Sequence, residues 1–243
     1  MQALELTAIP CLSDNYAWLL RDPATGTVAI VDPGEAEPVE KVLAARGHGL
    51  DLILITHHHG DHVAGVAALK AAHGAAVLGP AADSHRLPGL DRGLKDGDRI
   101  AVGNATAVVI DTPGHTRGHI SFYFAGDALL LCGDTLFSLG CGRLLEGTAE
   151  EMYASLRRFA VLPPDTRVAC GHEYTLSNGR FALSVDPGNA ALKARMAEVE
   201  ADRAAGVPTL PALLGDEMAA NPFLRAPDVA TLAKLRAAKD DFR

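Results

Sequence analysis

Four apolar runs in this chain end on histidine or aspartate, and that recurrence restricts the fold more than any other feature. Leu50-Asp51-Leu52-Ile53-Leu54-Ile55 leads into Thr56-His57-His58-His59-Gly60-Asp61-His62, while His115 follows Thr106–Ile110, Asp134 follows Ala128–Cys132 and His172 follows Arg167–Cys170. Short apolar runs bounded by turn residues read as buried strands, and α/β sheets gather functional groups at the carboxyl ends of their strands. His57 and His59 are two apart and share a face of extended chain, whereas Asp61 and His62 fall in a first helical turn and can converge from the other side. One zinc takes three or four ligands at ~2.0–2.2 Å, so four donors from one segment exceed its need and a second metal is expected, with ligands from later in the chain. A purification tag would carry no interleaved Asp and would sit at a terminus.

Composition narrows the classes further. At 243 residues, 48% hydrophobic and 21% charged, the chain has the length and apolar content for a substantial core, so disorder is not expected. The formal net charge of −8 argues against nucleic acid, whose binding rests on clustered Lys and Arg. Met1-Gln2-Ala3-Leu4-Glu5-Leu6 lacks a basic, apolar leader and no stretch approaches the ~20 apolar residues of a membrane span, so a cytoplasmic protein without membrane contact is expected, and a monomer is taken as its form. Cys11, Cys132, Cys141 and Cys170 are widely spaced without a Cys-x-x-Cys pair, which points to reduced thiols rather than a disulfide framework.

Taken in order, strands are expected over Leu4–Ile9, Tyr16–Leu20 and Val28–Val31, and Asp32-Pro33-Gly34 then precedes a helix from Ala36 to Ala45. One continuous helix is expected from about His62 to His73, ended by Gly74, with a strand at Ala76–Pro80. Asp96–Ile100 reads as a turn, and strands follow at Thr106–Ile110, Ile120–Phe124 and Ala128–Cys132. Thr148 caps a helix through about Phe159, with Glu150 and Glu151 in its first turn. Beyond about Leu176 no strand signal remains, and Ala190–Ala205 and Asp228–Lys239 read as helices. A catalytic domain over 1–172 and a small α-helical domain over 173–243 are therefore expected, the second beside the mouth of the site.

These residues together resemble the metallo-β-lactamase superfamily, whose pattern is Thr-His-x-His-x-Asp-His, a later His, a bridging Asp and a final His. Within it the chain is similar to glyoxalase II, the hydroxyacylglutathione hydrolases. The residues that carry the likeness are Leu12-Ser13-Asp14-Asn15-Tyr16, Thr112-Pro113-Gly114-His115-Thr116, Gly133-Asp134-Thr135-Leu136-Phe137, Gly140-Cys141-Gly142-Arg143, Gly171-His172-Glu173-Tyr174-Thr175 and Arg236-x-x-Lys239-Asp240. The His-rich motif identifies only the superfamily, whereas Gly-Cys-Gly-Arg and the C-terminal basic pair point to the glutathione thioester branch.

The resemblance implies an αββα sandwich of two mixed sheets and two divalent metal ions, with zinc expected and iron or manganese compatible with the donors. By motif position His57, His59 and His115 would hold one ion and Asp61, His62 and His172 the other, with Asp134 and a hydroxide bridging them. His58 is then no ligand, His119 hydrogen-bonds near the site rather than binding metal, and His48, His73 and His85 are structural or solvent-facing. Asp61 and Asp134 would serve the chemistry, and Arg143, Tyr174, Arg236 and Lys239 would surround a glutathione moiety. Arg236 and Lys239 lie three apart on one helix face, from which both could reach one carboxylate. Where many members carry Tyr, this chain has Leu145.

The implied reaction is hydrolysis of S-D-lactoylglutathione to D-lactate and glutathione, the second step of methylglyoxal detoxification. A lactonase or β-lactamase would share every ligand without needing the basic pair. A glutathione persulfide dioxygenase would use one iron and would not need Asp61, His62 and His172, and a non-enzymatic scaffold would not need a complete ligand set.

Overall fold

A computed structural model describes residues 3–242. Their internal contacts divide into two units, one running to Asp111 and resuming over Gly118–Gly133, the other comprising Thr112–Arg117 and the chain from Asp134 onward.

The first unit holds β1 (Glu5–Cys11), β2 (Asn15–Arg21), β3 (Val28–Val31), α1 (Ala36–Arg46), β4 (Leu52–Leu54), α2 (Gly60–Val63), α3 (Val66–His73), β5 (Ala76–Pro80), β6 (Arg92–Leu94), β7 (Arg99–Val102), β8 (Ala105–Asp111), β9 (Ile120–Phe124) and β10 (Leu129–Gly133). Strands β1 to β6 form a sheet in sequence order, antiparallel through β3 and parallel from β3 to β6. Parallel neighbours need crossover segments, which α1 supplies between β3 and β4 and α2 with α3 between β4 and β5. Val39 and Leu43 of α1 and Val66 and Leu69 of α3 pack on Ala17, Leu19, Ile30 and Ile53 of one sheet face. Trp18, Leu20, Val31 and Leu54, which alternate with them, are equally buried, so this sheet is covered on both faces. Strands β7 to β10 pair antiparallel in sequence order. Mixed sheets with helices outside give the expected αββα sandwich. Register is what matters for the site: Val31 lies opposite Leu54, so the residues after β3 and β4 leave the sheet at the same edge.

Two expectations for this unit are corrected. The helix over His62–His73 is two helices, α2 and α3, because the chain dips at Gly65 to touch the loop after β3. Gly65 N donates to Pro33 O at 2.9 Å, and a Cβ on Gly65 would stand 2.7 Å from that same oxygen. The turn placed at Asp96–Ile100 ends sooner, since Arg99–Val102 is β7 with alternate residues exposed and buried. The charges of Asp98 and Arg99 hide that period-two pattern.

The second unit contains β11 (Leu136–Phe137), β12 (Gly140–Cys141), α4 (Ala149–Phe159), β13 (Arg167–Cys170), α5 (Thr175–Val185), α6 (Ala190–Ala204), β14 (Ala212–Leu213), α7 (Leu214–Ala220) and α8 (Val229–Asp241). Thr148 closes a capping box on α4: its hydroxyl accepts from Glu151 N, and Glu151 Oε2 accepts from Thr148 N at 2.7 Å. A strand does follow residue 176, contrary to expectation, because β14 pairs antiparallel with Arg167 and Val168 of β13. Two residues carry too little pattern to be read in advance. Helices α5 and α7 also went unread, the first interrupted in sequence by Asn178-Gly179 and the second seven residues long with an internal Gly215.

Glu217 of α7 fixes the β11–β12 hairpin. Its carboxylate accepts from Ser138 Oγ at 2.7 Å, Leu139 N at 2.7 Å and Asn221 Nδ2 at 2.9 Å, and Leu139 turns there with φ of 58°. Asn221 Nδ2 also donates to the carbonyls of Phe137 and Gly140. Burial pushes the Glu217 carboxyl up, and the hydrogen bonds oppose that shift. Glu217→Ala should strand three buried donors at ~1–3 kcal/mol each, partly relieved by water, for a net loss of about 3–5 kcal/mol read in chemical denaturation. A loss under about 1 kcal/mol would show that the hairpin does not depend on this carboxylate.

Candidate metal centre

Within the first unit one carboxylate, Asp32, orders the His-rich segment. It follows β3 with φ of 51°, a left-handed conformation unusual for a residue other than glycine. Asp32 Oδ1 accepts from Thr56 N at 2.8 Å and Oδ2 from the Thr56 hydroxyl at 2.6 Å. With that hydroxyl proton committed to Asp32, Thr56 Oγ1 accepts from His57 Nδ1 at 3.0 Å, which leaves the lone pair of His57 on Nε2. His62 Nδ1 donates to the same Asp32 Oδ2 at 3.2 Å, which likewise leaves a lone pair on His62 Nε2. Asp32, His57 and His62 offer ligand atoms close enough for a metal, but the Asp32 oxygens already hold Thr56 and His62. Its role is therefore to orient ligands and set their tautomers. No sequence signal marked Asp32 beyond its place in a strand-ending Asp-Pro-Gly turn.

The donor spacings test whether a metal fits. Two donors on one tetrahedral ion at ~2.0–2.2 Å stand roughly 3.3–3.6 Å apart. His57 Nε2 and His59 Nδ1 are 3.1 Å apart, and His62 Nε2 and Asp61 Oδ2 are 3.5 Å apart. Asn15 Nδ2 holds Asp61 by its Oδ2 at 3.0 Å and its carbonyl at 3.2 Å. That carbonyl passes so close to Gly34 that a Cβ there would collide with it. His58 turns instead to Asp83, at 3.2 Å from Nδ1, and Asp83 also accepts from Arg86. His119 is buried and its ring stacks on His57 with centroids 4.9 Å apart. His73 meets Glu40 on the helix face at 3.1 Å, and His48 and His85 lie at or near the surface.

In the second unit Asp134 Oδ2 stands 3.4 Å from His115 Nε2 and 3.3 Å from His172 Nε2, all three side chains buried. His115 Nδ1 donates to Arg143 O at 2.8 Å, which leaves its Nε2 lone pair directed at Asp134. One carboxylate oxygen flanked by two imidazole nitrogens at such spacing could share a cation with each of them. The donor set of each unit therefore fits metal ions.

The same unit gathers Arg143, Tyr174, Arg236 and Lys239 around one pocket of about 310 Å³, with Phe137 and Ser177 also on its wall. Tyr174 stacks on His172 with centroids 4.5 Å apart and planes 8° apart, and meets Phe137 edge-on. Arg236 corrects the picture of two side chains projecting freely from a helix face. It is buried, Nη1 donates to Cys141 O at 2.7 Å and Nη2 to Asp240 Oδ1 at 2.9 Å. Lys239 is half-buried beside Ser177, and burial, with the Arg236 charge adding to it, holds its ammonium below the usual lysine range. Burial pushes the Cys141 thiol up to about 11 and raises Cys170 further, so neither is a ready thiolate. Leu145 is exposed.

The pattern of the metallo-beta-lactamase superfamily matches residues 13–172, and that of the hydroxyacylglutathione hydrolase C-terminus matches residues 173–242. The chain is 59% identical over 232 residues to the hydroxyacylglutathione hydrolase of Rhodobacter capsulatus, covering 96% of this chain and 91% of that one. It is 51% identical to the hydroxyacylglutathione hydrolase of Methylococcus capsulatus over 254 residues, covering 99% of each. Among solved structures it is similar to ETHE1 from Myxococcus xanthus, with a TM-score of 0.73 at 24% identity over 97% of this chain and 90% of that one, a likeness of fold. It is also similar to TTHA1623 in a di-iron-bound form, with a TM-score of 0.61 at 31% identity over 69% of this chain and 91% of that one.

Proposed function

This chain belongs to the hydroxyacylglutathione hydrolases of the metallo-beta-lactamase superfamily, and from that membership we infer which of its residues carry the reaction. It is a thioester hydrolase acting on S-D-lactoylglutathione and related 2-hydroxyacylglutathiones in methylglyoxal detoxification. His57, His59 and His115 would hold one divalent ion and Asp61, His62 and His172 the other, and Asp134 would serve both sites. The ions are zinc, with iron equally compatible, as the di-iron form of TTHA1623 suggests for that relative. The two family patterns meet at 172/173, so Arg236 and Lys239 lie in the part of the chain that matches the C-terminal one. The protein is read as cytoplasmic and monomeric, and its four free cysteines suit a reducing compartment. Among the described residues no helix is long and apolar enough to cross a membrane.

When bound, two such ions supply hydroxide from water near neutral pH and positive charge for the oxyanion that develops on the thioester carbonyl. Asp61, steadied by Asn15, orients the attacking oxygen and accepts its hydrogen bond. Asp32 keeps the ring nitrogens of His57 and His62 in the ligating tautomer. The leaving thiolate has an intrinsic pKa near ~8.5, so no acid need stand over it. Lys239 and Arg143 offer charge to the two glutathione carboxylates, and the Tyr174 ring lies between that pocket and His172.

The observation that carries the substrate reading is the pocket itself: Arg143, Lys239, Arg236 and the Tyr174 ring line one cavity, where Arg143 and Lys239 can pair with the two carboxylates of glutathione, which a simple lactone lacks. Hydrolysis of S-D-lactoylglutathione beside a lactam and a lactone tests it, and preference for either of the latter would overturn it. Metal analysis of the active protein should approach two ions per chain. Lys239→Ala should raise KM by about tenfold with kcat nearly unchanged, since it removes a contact made equally in ground and transition states. A fall in kcat at constant KM would place Lys239 in the chemistry instead.

A further inference from the structure

The glutathione pocket of the second unit is lined by three cations and by one carboxylate, Asp240. Asp240 Oδ1 accepts from Arg236 Nη2 at 2.9 Å and stands 3.6 Å from Arg143 Nε, so two of the three cations share one anionic oxygen. Arg236 and Asp240 are one helical turn apart on α8, while Arg143 reaches them from the loop after β12. The Asp240 side chain is 36% exposed, against 7% for Arg236, so its charge faces whatever enters the pocket. A carboxylate placed in a site meant for carboxylates weakens the attraction it surrounds. Such an element is explicable when the site must refuse a more strongly charged rival.

We infer that Asp240 is a specificity-determining residue that lets this pocket accept glutathione thioesters and refuse thioesters whose carrier bears phosphate groups. This rests on the reading of the pocket as the glutathione site. Glutathione brings two carboxylates and one ammonium, so repulsion of its carboxylates by Asp240 is offset by attraction of its ammonium. A phosphate monoester brings close to two negative charges and no ammonium, so it meets repulsion without an offset. Without Asp240 the pocket would present three cations to any polyanion. With it the excess charge is two, spread over side chains of which Arg236 is buried and already bonded to Cys141 O.

The test compares the parent, Asp240→Asn and Asp240→Glu as competitive inhibition of S-D-lactoylglutathione hydrolysis by two probes. One is S-methylglutathione and the other adenosine 3′,5′-bisphosphate. In Asp240→Asn the inhibition constant of the bisphosphate should fall by about tenfold or more, while that of S-methylglutathione shifts less than about threefold. Asp240→Glu, which keeps the charge, should stay near the parent. Inhibition exerted at the metal ions adds the same term to the reciprocal inhibition constant of all three proteins, so the variants are compared by the difference in that reciprocal, in which the shared term cancels. An unchanged bisphosphate constant in Asp240→Asn overturns the inference, as does a gain in Asp240→Glu as large as in Asp240→Asn. Should S-methylglutathione fail to compete in the parent, or Arg143→Ala leave its constant unaltered, the pocket assignment fails and the inference with it, a result distinguishable from failure of Asp240 alone.

Discussion

Replacing Asp134 with Asn is expected to lower turnover of S-D-lactoylglutathione by about a thousandfold and to bring metal content below two ions per chain, whereas His58→Ala should leave both near the parent values. Asn keeps the shape of Asp134 but removes the charge that stands 3.4 Å from His115 Nε2 and 3.3 Å from His172 Nε2. Two cations held there would then repel each other with less compensation, and one or both would bind more weakly. His58 Nδ1 stands 3.2 Å from Asp83 Oδ2, so its loss removes that contact and none of the expected ligands. Turnover and elemental analysis on both variants decide the matter, and equal losses would mean that the ligand set within the His-rich segment has been misassigned.

Arg236→Ala is expected to cost stability before it costs binding. The guanidinium is buried, donates to Cys141 O and Asp240, and lies over the Phe223 ring at 5.3 Å. Truncation leaves a buried carbonyl without its donor and a half-exposed carboxylate without its partner. Breaking a fully buried pair costs ~3–5 kcal/mol, and the exposure of Asp240 reduces this to about 2–4 kcal/mol. For a chain of this length that lowers the melting temperature by on the order of 10 °C. Lys239→Ala, whose ammonium meets Ser177 and two aromatic rings, should melt within a few degrees of the parent. The two variants thus separate a residue that builds the pocket from one that binds in it. A parent-like melting curve for Arg236→Ala would refute the structural half of that distinction.

The family and the class of the fold were legible in the sequence, as were the candidate ligands. Period-two and apolar runs mark the strands of β2, β3, β5, β9, β10 and β13 because burial on both faces demands apolar residues there. His57, His59, Asp61, His62, His115, Asp134 and His172 stand out because few side chains ligate metals and all of these follow strands. Tertiary structure alone decided what depends on partners distant in sequence. Asp32 looks like an ordinary turn residue until parallel pairing of β3 with β4 carries it to Thr56 and His62. The break at Gly65 arises from a contact with Pro33, not from any local helix breaker strong enough to announce it. Arg236 looks like a surface cation on a polar helix until the β11–β12 hairpin, held by Glu217 and Asn221, brings Cys141 O to it. Local pattern reports which face of an element is buried, but a hydrogen bond across 95 residues of chain is a property of the packed fold.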